Sequence, residues 1–104
     1  MLLKLEFYVP STHLKEVNHA LFNAGAGHLG QYKACAWYTK GTGQFMPMEG
    51  SHPFIGETEK LEQVEEYKVE MVLESQYRQV TIDALKKAHP YETVAYQLIE
   101  ILTL

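Results

Sequence analysis

Polar and apolar residues alternate from the start of the chain, with Leu3, Leu5, Phe7 and Val9 interleaved with Lys4, Glu6 and Tyr8. A period of two marks a half-buried strand. Pro10-Ser11 ends it, and Ser11 or Thr12 is placed to cap a helix. Leu14, Val17, Ala20, Leu21 and Ala24 then recur at steps of three and four, forming one apolar stripe that stops at Gly25 and Gly27. A strand is predicted over residues 30–39, with Tyr32, Ala34, Ala36 and Tyr38 on one face and Gln31, Lys33, Cys35 and Trp37 on the other. Lys40-Gly41-Thr42-Gly43 reads as a hairpin turn into a short strand, Gln44-Phe45-Met46, which Pro47 ends as an edge. Residues 49–56 read as loop.

Alternation returns over residues 64–73, with Tyr67, Val69, Met71 and Leu73 inward and Glu66, Lys68 and Glu70 outward. Ser75 is the expected cap of a second helix, whose stripe is Tyr77, Thr81, Ala84, Leu85 and Ala88. The last strand, over residues 94–102, is apolar on both faces: Val94, Tyr96 and Leu98 on one, Ala95, Ile99 and Ile101 on the other. A two-faced strand in a small domain implies burial by helices on one side and by another subunit on the other.

Shifting the chain by 64 residues superposes these elements without a gap. Leu5, Phe7 and Val9 fall on Val69, Met71 and Leu73; Ser11 falls on Ser75; Ala20-Leu21 falls on Ala84-Leu85; Gly25 falls on His89. Two strand–helix–strand units joined by an elaborated hairpin give an α+β, ferredoxin-like βαββαβ plan. Right-handed crossovers put both helices on one face of the sheet and leave the other for an oligomer contact.

Composition narrows the function. The 104 residues allow one domain, and no apolar run is long enough to span a membrane. A strand-like N-terminus without a signal peptide's features points to the cytoplasm. Nine basic against 13 acidic residues give a net charge of −4, and the basic ones form no cluster beyond Lys86-Lys87. Nucleic acid is therefore not an expected partner, since its binding rests on neutralising phosphates. Cys35 is the only cysteine, which excludes an intrachain disulfide and any Cys-x-x-Cys motif. On a strand it reads as a small buried residue.

The chemistry-bearing residues gather at Ala88-His89-Pro90-Tyr91-Glu92. Pro90 fixes its own φ and pushes His89 out of the helical region, so the second helix must end at about Ala88. His89, Tyr91 and Glu92 then share a short turn between two rigid elements, suited either to a ligand or to the turn's own backbone groups. Because Gly25 is the repeat equivalent of His89, Gly27 and His28 are candidates to join this turn, within a protomer or across a subunit boundary. A metal set of His28, His52, His89 and Glu92 is the alternative, with a divalent ion as its cofactor, although none of these has local ligand spacing. His13 and His19 read as surface residues. Gly25-Ala26-Gly27-His28-Leu29-Gly30 satisfies G-x-G-x-x-G, but a dinucleotide fingerprint needs a strand before it and a helix after it, and here that order is reversed. The glycines read as tight backbone turns. Trp37, Tyr38, Phe45 and Phe54 could line an apolar pocket or pack in a core or interface. No nucleophile–base–orienter set can be assembled, so an enzyme is not expected.

Five blocks occur in order: Ala24-Gly25-Ala26-Gly27-His28-Leu29-Gly30-Gln31-Tyr32, Gly41-Thr42-Gly43-Gln44-Phe45-Met46-Pro47, Ser51-His52-Pro53-Phe54-Ile55-Gly56, Glu65-Glu66-Tyr67-Lys68-Val69-Glu70 and Ala88-His89-Pro90-Tyr91-Glu92. Together they resemble the YqfO-type insertion domain of the Nif-three-like dinuclear metal proteins, from about Pro10 onward. The resemblance implies a fold like those of the PII and CutA proteins, which are ferredoxin-like and usually trimeric. The dinuclear centre of the larger relatives lies in a body to which these residues do not correspond, so their metal ligands and hydrolase activity are not expected here. The expectation is a homotrimeric binding or regulatory module. Its ligand, a small molecule or a protein partner, would sit at a subunit cleft near the His89–Glu92 turn.

Overall fold

The computed structural model describes residues 1–102. The first strand, β1 (Leu2–Pro10), runs into a 3-10 turn (Ser11–His13) and then helix α1 (Leu14–Asn23). Strands β2 (Trp37–Phe45) and β3 (Glu62–Glu74) follow, then a second 3-10 turn (Ser75–Tyr77), helix α2 (Arg78–Ala88) and strand β4 (Tyr96–Glu100). The sheet order is β2-β3-β1-β4, and every pairing is antiparallel. This is the ferredoxin-like arrangement that the repeat predicts. The 64-residue offset holds in detail, because Ser11–His13 and Ser75–Tyr77 are equivalent 3-10 turns and Leu14 and Arg78 are equivalent helix starts.

β1 and β3 form the spine, paired from Leu2↔Glu74 to Pro10↔Glu66. Their inward residues Leu3, Leu5, Phe7, Val9, Val69, Met71 and Leu73 are buried beneath Leu14, Val17 and Leu21 of α1 and Ile82 and Leu85 of α2. Burial of this kind is the main stabilising term for a chain of this size. The opposite face carries no helix. There Lys4 bridges Glu6 at 3.2 Å and also pairs with Glu70, while Gln97 donates to Glu6 at 2.6 Å. Among the described residues no helix is long and apolar enough to cross a membrane.

Four local expectations are corrected. The strand predicted over residues 30–39 begins only at Trp37. Before it the chain is irregular, with Gly30 and Ala34 at positive φ and an isolated Leu29↔Tyr32 bridge, so Cys35 is partly exposed on a loop. No hairpin forms at Lys40–Gly43. β2 continues straight through these residues, pairing from Trp37↔Glu70 to Phe45↔Glu62, and the connection to β3 is the longer segment 46–61. Finally, neither helix has a side-chain cap: Ser11 and Ser75 open the 3-10 turns instead, and the α-helices start three residues later. The last strand is also shorter than predicted, with residues 94–95 and 101–102 outside it.

Candidate functional site

The second helix ends as Pro90 dictates. His89 takes an extended conformation (φ −72°, ψ 137°), and its N–H closes the last helical bond to the Leu85 carbonyl at 2.9 Å. Its ring turns inward and is only 5% exposed. Nδ1 accepts the Tyr91 N–H at 3.1 Å, so the proton sits on Nε2, which donates to the Tyr8 carbonyl at 2.7 Å. Burial pushes the His89 pKa below the ordinary histidine range, against the opposing effect of the Tyr8 carbonyl. His89 is a neutral clamp between the turn and the end of β1.

The same clamp places Tyr91 over the helix-free sheet face. Its hydroxyl donates to Glu66 Oε2 at 2.8 Å, and burial followed by the Glu66 hydrogen bond pushes its pKa up, so the phenol stays protonated. Glu66 has room to reach Tyr91 because the adjoining strand is bare beside it: its ladder partner is Gly41, and a Cβ on the diagonal neighbour Gly43 would collide with the Glu66 carboxylate. Glu92 Oε1 accepts the His52 N–H at 2.8 Å and ties the connection between β2 and β3 to the turn. Phe45 and Phe54 stand 6.0 and 6.4 Å from the Tyr91 ring.

These contacts wall a cavity of about 700 Å³. Its floor is Tyr8, Thr39, Gly41, Gly43, Glu66 and Lys68 on the open sheet face; Met46, Met48, Phe54 and Ile55 form one side, and Tyr91, Glu92 and Ala95 the other. Sequence patterns had suggested Tyr91 and Glu92, and Phe45 and Phe54 as pocket aromatics. Trp37 and Tyr38 do not line the cavity. Glu66, Lys68 and Tyr8 were missed as site residues, for they face it only through cross-strand register, and no local motif marks that.

Gly27 and His28 do not join this site within one chain. The Gly27 N–H donates to the Val72 carbonyl at 2.8 Å, and Val72 pairs with Lys4, whereas His89 binds Tyr8. Lys4 and Tyr8 lie four residues apart on β1, roughly 13 Å at about 3.3 Å per residue. The two turns are therefore at opposite ends of the spine. Val72 is the 64-residue equivalent of Tyr8, so each half's turn is anchored to the other half's strand. Gly25, at φ +114°, sits against the Tyr77 ring, where a side chain would be both strained and obstructed. His28, His52, His89 and Glu92 are not gathered as metal ligands in a single chain: His28 is exposed near the Val72 anchor, His52 is exposed and meets Glu92 through its backbone, and both His89 nitrogens are engaged. Among the described residues, no three His, Cys, Asp or Glu side chains come together closely enough to hold a metal ion.

No protein-family model matches the chain. It is 45% identical over 98 residues to a GTP cyclohydrolase 1 type 2 homolog of Bacillus subtilis, covering 94% of this chain and 26% of that protein. A protein of the same name from Halalkalibacterium halodurans is 47% identical over 97 residues, again covering 26% of the relative. The chain thus spans about a quarter of the length of the curated relatives it matches. Among solved structures, a Bacillus cereus protein related to NIF3 superposes with a TM-score of 0.81 at 41% identity, covering 94% of this chain and 25% of that one. CutA from Archaeoglobus fulgidus superposes at 0.70 with 20% identity, and covers 97% of this chain and 84% of its own. The GlnK protein of B. subtilis gives 0.61 at 13% identity, with coverages of 96% and 84%. Likeness at such low identity speaks to the fold alone, which is CutA-like and PII-like. In sequence and fold, then, the chain is similar to a stretch of NIF3-related proteins that makes up about a quarter of their length.

Proposed function

We propose that this chain is a binding or regulatory module that assembles as a homotrimer, with its ligand in the cleft beneath the His89–Glu92 turn. The observation that carries the reading is the cavity of about 700 Å³ with a mostly apolar wall and a few fixed polar groups, within the usual size and character of small-molecule sites. The polar groups are suited to orientation rather than chemistry. Both ring nitrogens of His89 are committed to the turn, and the Tyr91 phenol is held protonated against Glu66, so neither is free to act as a base. The turn is thus structural at His89 and ligand-facing at Tyr91.

Methyl NMR on Met46 and Met48, which line the cavity, tests the reading. A fragment and metabolite panel is titrated against the parent and an Ala95→Trp variant, in which the new side chain fills the cavity. Compounds that shift both methyls in the parent and not in the filled variant are the expected result. A panel without effect, or shifts that persist unchanged in Ala95→Trp, would overturn it.

A further inference from the structure

We infer that the cavity takes a small organic cation, an ammonium or quaternary amine on a compact apolar body; this rests on the cleft being a ligand site. Four aromatic residues line it, Tyr8, Phe45, Phe54 and Tyr91, and the Phe45 and Phe54 ring centroids lie 6.0 and 6.4 Å from that of Tyr91. Aromatic walls attract a cation through the negative faces of their π-systems, and more strongly where water is excluded. A carboxylate stands beside them. Glu66 gives one oxygen to the Tyr91 hydroxyl, which fixes the side chain and leaves the other oxygen for a ligand, and the bare backbone of Gly43 gives it space.

Charge points the same way. The ionisable side chains of the lining that carry charge are Glu66, Glu92 and Lys68. Lys68 leans toward Glu6, with Nζ 3.9 Å from its carboxylate. An anion would therefore face two carboxylates and one ammonium already drawn elsewhere, whereas a cation meets net negative charge. An inorganic divalent ion fits less well, since it needs several converging oxygen ligands and no such trio exists among the described residues. The volume suits a small molecule rather than a folded partner.

Three probes of nearly one shape separate charge from shape: choline, its neutral analogue 3,3-dimethylbutan-1-ol, and the anion 3,3-dimethylbutanoate. Binding is read from Met46 and Met48 methyl shifts and from the Tyr91 ring signals. Choline is expected to bind about tenfold more tightly than the alcohol, the ratio that a cation–π contact and a carboxylate together supply. Glu66→Gln keeps an acceptor for the Tyr91 hydroxyl, so the turn stays in place; it should lose most of that choline preference while alcohol binding is unchanged. If the alcohol or the acid binds as well as choline, the cation inference falls and the cavity remains a ligand site. If none of the three moves these signals at millimolar concentration, the inference also falls, and the fragment panel with Ala95→Trp decides separately on the cavity.

Discussion

His89 shows how one residue can be read correctly in place and incompletely in role. Pro90 made the end of α2 and the extended conformation of His89 legible, because both follow from local sterics. What His89 bonds to is 81 residues away at Tyr8, and nothing in the local sequence encodes that. The consequence is testable by pH. A histidine held neutral by burial has a folded-state pKa below its unfolded value, so the unfolded chain binds the proton first. Its contribution to stability is complete above about pH 6.5, the ordinary histidine value, and is lost as pH falls from there through the lowered folded pKa. Urea midpoints measured from pH 8 to 5 should fall on acidification in the parent. They should fall less steeply in His89→Gln, which is less stable throughout but has no imidazole to protonate. Equal slopes in the two proteins would mean that His89 is not the titrating clamp. Glu66 is the opposite case: its outward position was legible from alternation, but its part in the site depends on Gly43 across one ladder and Tyr91 beyond it.

At the scale of elements, the repeat was legible because hydrophobic period and helix stripe recur together at one offset. β2 was misread for the converse reason. Gly41 and Gly43 resemble a turn by composition, yet they lie within an edge strand where absent side chains leave space over Glu66. The repeat also exposes where the halves differ energetically. Val17 in α1 is fully buried and apolar, while its equivalent in α2, Thr81, is equally buried with a hydroxyl that has no hydrogen-bond partner among the described residues. An unsatisfied buried hydroxyl carries a desolvation cost that an isosteric methyl lacks. Thr81→Val should therefore raise unfolding free energy by about 1 kcal/mol, checked by thermal or urea unfolding. A loss of stability would show that the hydroxyl is satisfied, by the Tyr77 carbonyl one turn back or by water.

For the whole molecule, the unresolved load is the helix-free sheet face. Cross-strand register puts Trp37, Glu70, Glu6 and Gln97 in one row, and Val72, Lys4 and Ile99 in the next. Apolar side chains thus border a charged centre in which Lys4 and Lys68 neutralise Glu6 and Glu70 internally. With its central charges already paired, such a face can be covered with little unpaired charge left buried, and Trp37, at 61% exposed, gains most from being covered. Three copies related by a closed rotation, as proposed above, would cover it without leaving an open end to polymerise. Sedimentation equilibrium at micromolar concentration should give about three times the 11.9 kDa chain mass. Trp37 is the only tryptophan, so its emission reports the same event: dilution through dissociation should shift it to the red. Ile99→Asp, which places an unpaired charge on that face, should shift the dissociation to higher concentration while leaving the helix-side core untouched. A monomer mass with Trp37 emission independent of concentration would remove the trimer and leave the cavity to stand within a single chain.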